Sequence, residues 1–171
     1  MSTWPSSWAC DASVGYESGG AAGASVRCDR SGRPMGHVVV VRFERDVAGS
    51  PYYEVANVLA TAMRAFCAGA QAPLIYGDLD GVGRGLRTLR SWGPAGYPDR
   101  VPMELRRLLE VLGPAVERIQ YERVPRNSTE AMALVDRSAR SAMRGRNVRG
   151  DVCETSCAVV VESYERLVLK R

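Results

Sequence analysis

Carboxylates are the main chemical resource of this 171-residue chain, which carries 19 acidic residues and one histidine, His37. Four acids stand where a regular element would hold them still. Asp11 lies within the strand-like run WACDASV, and Glu54 falls one turn into SPYYEVANVLATAM. Asp78 ends the apolar run PLIYGD, and Asp136 sits in the helical pattern VDRSARSA. Carboxylate oxygens suit a hard cation such as magnesium, which takes oxygen ligands and keeps several waters. Acids brought close together repel one another until cations arrive, so such a cluster rarely serves stability alone. Each acid also has an ordinary reading. Asp11 suits a strand-end turn, and Glu54 meets a helix dipole favourably. Asp78 and Asp80 suit a turn, and Asp136 can pair with Arg140 one helical turn later.

Other chemistries have less support. The five cysteines (Cys10, Cys28, Cys67, Cys153 and Cys157) show no framework spacing. The CxxxC pair lacks nearby histidines for a zinc site, so reduced, mostly buried thiols are expected. The net charge is +4, and Lys170 is the one lysine among 23 basic residues. Arginine favours phosphate and planar acceptors, yet the arginines are spread along the whole chain, as a GC-rich coding sequence would also give. Only their local arrangement carries information. Arg137, Arg140 and Arg144 share one face of a helix and, with Arg146 and Arg149, could track a phosphate backbone; a solvated face is the ordinary alternative.

The elements that must position these groups follow from periodicity. Residues 8–14, 24–29 and 37–45 read as three short strands, the third rich in β-branched residues. YESGGAAG and RSGRPMG are the turns between them. Ser50-Pro51 then opens a helix, with Val55, Leu59, Ala62, Met63 and Phe66 at helical spacing and Gly69 as its stop. Residues 73–78 read as a buried strand. GVGRGLRTLRSWG (81–93) is helical but glycine-weakened. MELRRLLEVLG (103–113) is a helix with Leu105, Leu108, Leu109 and Leu112 on one face. VERIQYERV (116–124) alternates as a strand, and residues 129–145 are helical. An antiparallel opening followed by βα alternation predicts a mixed sheet flanked by helices. The expected organisation is one domain over residues 1–145 and an extension over 146–171. The spacing of Val160, Tyr164, Leu167 and Val168 favours a helix in that extension, suited to packing on the domain or mediating a homodimer. No apolar run approaches the ~20 residues that span a bilayer, and the N-terminus lacks the pattern of a secretory signal. The cytoplasm is the expected compartment and no membrane is an expected partner.

The element order, with its acids, resembles the ribonuclease H family over roughly residues 6–145. CDAS followed by a glycine-rich turn is similar to the family's opening strand and hairpin. Glu54 occupies the family's helix glutamate. IYGDLDGVGRGL resembles its strand-D-S-x-x-V-x-x-G pattern, with Val82 and Gly85 in place and Leu79 where serine is usual. VDRSARSA is similar to the final helix, A-D-x-L-A-x-x-A, although Met132 stands where an asparagine is usual. A second alignment pairs Asn127 with Ala131 and leaves the fourth acid position empty; the small residues after Asp136 favour the first.

The resemblance implies an α/β ribonuclease H-like fold, a five-stranded sheet of three antiparallel and then parallel strands, flanked by helices. It implies that Asp11, Glu54, Asp78 and Asp136 hold two Mg2+ or Mn2+ ions. A pair of ions about 3.5–4 Å apart can clamp both oxygens of an in-line phosphoryl displacement. The implied activity is endonucleolytic hydrolysis of the RNA strand of an RNA–DNA hybrid. Arg126, in the loop where many relatives carry a histidine, would hold a phosphate, together with Arg137 and Arg140. The segment from Ser13 to Gly20 is where the 2′-hydroxyl would be read. The Trp-rich basic protrusion of some relatives is missing, residues 91–102 being short and barely charged. Two alternatives stay open: a non-catalytic module that binds nucleic acid or protein, and a nuclease of the same fold acting on structured DNA or 3′ ends.

Overall fold

The computed structural model describes residues 7–14, 21–43, 52–92, 101–144 and 159–163. Strand β1 (Ser7–Val14) pairs antiparallel with β2 (Ala21–Cys28), which pairs antiparallel with β3 (Pro34–Phe43). Helix α1 (Tyr52–Cys67) crosses to β4 (Leu74–Gly77), which lies parallel to β1 on its other side. Helices α2 (Val82–Trp92) and α3 (Met103–Leu112) lead to β5 (Gln120–Arg123), parallel to β4. Helix α4 (Glu130–Met143) follows, and β6 (Val159–Ser163) pairs parallel with β3. The strand order is β5-β4-β1-β2-β3-β6.

This is the predicted mixed sheet, with its antiparallel β1–β2–β3 half and its parallel β4 and β5. Strand β1 is central, and successive side chains enter different cores because the strand period is two. Cys10 joins the core under α1 and α3, whereas Ala9 joins the core under α4. The four leucines of α3 that the spacing places on one face are all buried, each contributing roughly 1.5–3 kcal/mol. Helix α1 lies close on the sheet because its inward face is largely alanine: Ala56, Ala60 and Ala62 are fully buried.

Helix α4 is set at its N-terminus by two contacts. The Thr129 side chain accepts a hydrogen bond from Met132 N at 3.2 Å, a cap worth about 1 kcal/mol. The turn Asp29–Arg33 supplies a second acceptor, Gly32 O, to Ala131 N at 2.9 Å. Gly32 has φ +80°, and a Cβ there would lie 2.3 Å from Thr129 Cβ. Only glycine allows the turn to dock so closely on the helix start.

Two sequence expectations are corrected. Residues 116–119 are not strand: Gly113–Arg118 form a 3-10 turn led by Pro114, and buried Val116 continues the α3 core. The helix favoured for 158–170 gives way, over Val159–Ser163, to β6. Three consecutive valines have high strand propensity, and the open edge of β3 offers them backbone partners. The sheet thereby gains a sixth strand. The Ser50-Pro51 helix start, Arg146, Arg149, Cys153 and Cys157 lie outside the described residues. Among the described cysteines, Cys10 and Cys28 are buried free thiols and Cys67 is an exposed one.

Candidate active site

Three of the acids meet at one edge of a cleft formed where β1, β4 and the start of α1 come together. Asp11, Glu54 and Asp78 each offer a carboxylate oxygen, and these oxygens lie within 4.8 Å of one another. Asp11 comes from the middle of β1, Glu54 from the first turn of α1, and Asp78 follows the last residue of β4. Cys10, Leu79 and Tyr121 complete the adjoining walls. The Tyr121 hydroxyl donates to Leu79 O at 2.9 Å, and Arg123 Nε donates to Asp78 O at 3.3 Å. Strand β5 thus holds the turn that carries Asp78.

Burial and mutual repulsion mark these carboxyls electrostatically. Burial, then the Asp78 charge, then Asp136, push Asp11 up to about 8. Burial and Asp78 push Glu54 up to about 7. Burial, followed by the charges of Asp11 and Glu54, also pushes the Cys10 thiol up, which makes it an inert wall rather than a nucleophile. Two unit charges 4–5 Å apart repel by about 3–4 kcal/mol at an effective dielectric near 20. Such a cluster is costly as a purely structural feature. Its donors are all carboxylate oxygens, the set preferred by hard divalent cations, so the residues present fit such an ion.

Asp136 approaches from the opposite layer. It lies on α4, its side chain is 6 % exposed, and it adjoins the Asp11 carboxyl, whose affinity for a proton it raises. It is not one of the three mutually close acids. Arg140 Nη2 donates to its Oδ2 at 2.6 Å and Arg126 Nη2 to its Oδ1 at 3.3 Å. Both the fourth-acid expectation and the Arg140 pairing anticipated from the i,i+4 spacing therefore describe the same side chain.

No protein-family model and no curated protein sequence matches the chain. Solved structures do. RNase H1 from the halophilic archaeon Halobacterium salinarum NRC-1 is similar at 17 % identity and a TM-score of 0.56, over 82 % of this chain and 98 % of that one. The RNase H domain of PFV is similar at 15 % identity and a TM-score of 0.56, over 86 % and 99 %. LC9-RNase H1, a type 1 RNase H with the type 2 active-site motif, gives 17 % identity and a TM-score of 0.52, over 86 % and 75 %. The fold is ribonuclease H-like. With the acidic triad, this fold fits a nuclease.

Within the ribonuclease H-like frame the remaining sequence-derived residues are dispersed. Ser13 is on β1 opposite Ala22, at the entrance to a hairpin whose residues 15–20 lie outside the described ones. Arg126 is in the turn after β5, 60 % exposed. Arg137 is exposed, whereas Arg140 turns to Asp136, so the arginine face of α4 is divided. Met132, at the position of the family's asparagine, is buried in the apolar core beneath α4.

One residue escaped the sequence reading. Asn57 is 1 % exposed on α1, three positions after Glu54. Its Nδ2 donates to Asp11 O at 2.9 Å and to Ala24 O at 3.2 Å. Gly23 makes room for it: a Cβ there would lie 2.0 Å from Asn57 Oδ1. The available signal was an amide at helical spacing among apolar residues on the inward face of α1.

Proposed function

We propose that the chain is a metal-dependent endonuclease that hydrolyses the RNA strand of RNA–DNA hybrids, with Asp11, Glu54, Asp78 and Asp136 as its acidic centre. The observation carrying this reading is the convergence of Asp11, Glu54 and Asp78 within 4.8 Å, from three separate elements of a ribonuclease H-like fold. A divalent cation, Mg2+ or Mn2+ and in this reading a pair of them, would supply the positive charge that stabilises an in-line phosphoryl displacement. The protein's part is positional. Asp11 and Asp78 hold the cation side of the cleft, and Glu54 faces the scissile side. Arg126 and Arg137 offer guanidinium groups to the nucleic-acid backbone. Ser13 stands where backbone and side-chain groups would meet a 2′-hydroxyl.

The test is cleavage of a labelled RNA–DNA hybrid with magnesium or manganese, and again with chelator. Metal-dependent cutting of the RNA strand supports the reading. No cleavage by verified folded protein under any metal condition removes it. Duplex DNA, duplex RNA, branched DNA and 3′-end substrates, run in parallel, separate a nuclease of different substrate. A second reading, a non-catalytic module that binds nucleic acid or protein, is favoured by one observation: both Asp136 oxygens already carry an arginine. Hybrid binding without cleavage would select it.

A further inference from the structure

Asp136 has two kinds of neighbour. On one side is the Asp11 carboxyl. On the other, two guanidiniums reach in from solvent, one to each carboxylate oxygen: Arg126 to Oδ1 at 3.3 Å and Arg140 to Oδ2 at 2.6 Å. The arginines arrive from independent elements, the turn after β5 and the helix turn after Asp136 itself. Their side chains are 60 % and 42 % exposed, against 6 % for Asp136. The carboxylate is thus buried, and its outward approach is covered by two fixed positive charges. Arginine cannot shed its charge by deprotonation, so a cation directed to Asp136 meets both.

We propose that Arg126 and Arg140 form a latch on Asp136, which keeps a divalent cation from this carboxylate until a nucleic-acid phosphate draws the guanidiniums away. The inference rests on the reading of Asp136 as part of the acidic centre. The trio of Asp11, Glu54 and Asp78 lies outside the latch, since neither arginine bonds to it in the contacts that fix Asp136. The chain therefore takes one cation readily and a second only after the latch opens. Phosphate is the suitable key because its two free oxygens can meet a planar guanidinium bidentately, as a carboxylate does, and a nucleic-acid backbone presents one such charge at every nucleotide. Partial exposure leaves both guanidiniums reachable from solvent. Arg126 and Arg140 are positioning residues toward the cation and binding residues toward the phosphate.

Magnesium titration calorimetry of metal-stripped protein tests the exclusion. The parent should show one binding event. Arg126→Gln with Arg140→Gln should reveal a second, or tighten an existing weak one by at least about tenfold, since a like charge at contact distance costs on that order even in water. Adding Asp136→Asn to that double variant should abolish the second event. Both arginines are substantially exposed, and urea melts verify that the variants fold. Unchanged ion number and affinities in the folded double variant overturn the latch. Its opening is read without metal, from the side-chain Nε–H resonances of Arg126 and Arg140. A short RNA–DNA hybrid should shift both. If neither the hybrid nor inorganic phosphate shifts them, or inorganic phosphate alone does, the nucleic-acid key is wrong. Hybrid cleavage with unaltered metal binding in the variants would remove the latch and keep the nuclease. The expected metal pattern without cleavage would do the reverse.

Discussion

Asn57 Nδ2 donates to the main-chain oxygen of Asp11 at 2.9 Å, so the helix that carries Glu54 is fastened to the strand residue whose carboxylate Glu54 must face. The same amide reaches Ala24 O, directly across the β1–β2 ladder from Asp11. Replacement by leucine removes both bonds while keeping much of the volume. The expected loss is about 1–3 kcal/mol of stability. Gly23→Ala drives a methyl into the Asn57 side chain and should cost a similar amount by overpacking. Because the two positions share one space, Gly23→Ala with Asn57→Ala should be less destabilised than the sum of the single changes. Urea denaturation of the parent, Gly23→Ala, Asn57→Ala and the double variant closes the cycle, and additivity within about 0.5 kcal/mol would refute the coupling.

The raised carboxyls make the metal-free protein sensitive to alkali. Asp11 rises from an ordinary 3.8 to about 8, and Glu54 from 4.5 to about 7. The folded state therefore holds protons that the unfolded chain has released. This advantage is fully present below the unfolded values and is lost as pH rises through about 7 and about 8. Stability in chelator should fall between roughly pH 4 and pH 8, by up to about 1.4 kcal/mol per pH unit for each proton concerned. Magnesium should oppose the fall, because it binds the deprotonated acids. Melting temperatures across this range, with and without magnesium, provide the check; a rise with pH in chelator would contradict the assignment.

Asp11→Asn keeps the shape of the side chain and removes its charge. Near pH 6 the parent's Asp11 is already protonated, so the substitution should change metal-free stability little there. At pH 9 the variant should be the more stable protein, since repulsion with Asp78 is gone. Magnesium should no longer raise its melting temperature. Hybrid cleavage should fall by more than the roughly 10–100-fold that loss of a supporting contact costs a metal site. A folded variant with parental activity would remove Asp11 from the centre.

The trio was legible because each acid sits on an element whose pattern is strong: a β-branched and small-residue sheet for Asp11 and Asp78, and a long apolar periodicity for Glu54. Sequence alone does not record what faces what across the fold. Asn57 gains its partners from residues 46 and 33 positions away. The room made by Gly23 likewise appears only once β2 lies under α1. Asp136 was readable as an acid, and Arg140 as its neighbour by helical spacing. The convergence of Arg126 on the same carboxylate depended on where β5 ends. Val116 was misread because an apolar residue of a 3-10 turn mimics strand alternation over so few positions. The misreading at 158–170 has a different cause: Val160, Tyr164, Leu167 and Val168 have helical spacing, while Val159, Val160 and Val161 also suit a short strand, and the open β3 edge decides between them.

That edge gives the last prediction. Strand β6 covers the outer side of β3 through the register Val38↔Val159 to Arg42↔Ser163. Removing residues 146–171 would uncover the alternate backbone N–H and C=O groups of Val38–Arg42 that face away from β2, in a run of four valines and an arginine. An uncovered edge of this kind is a template for pairing with another chain. The truncated protein should retain its ribonuclease H-like core and the acidic trio, since both lie across β1, β4 and α1, but it should self-associate as concentration rises. Sedimentation velocity over a tenfold concentration range distinguishes the two proteins. A lysine at Val39, which is only partly buried, should restore the monomer of the truncated chain if edge pairing is the cause. Equal sedimentation of the 171-residue and truncated chains would show that β6 does not serve as the edge cover.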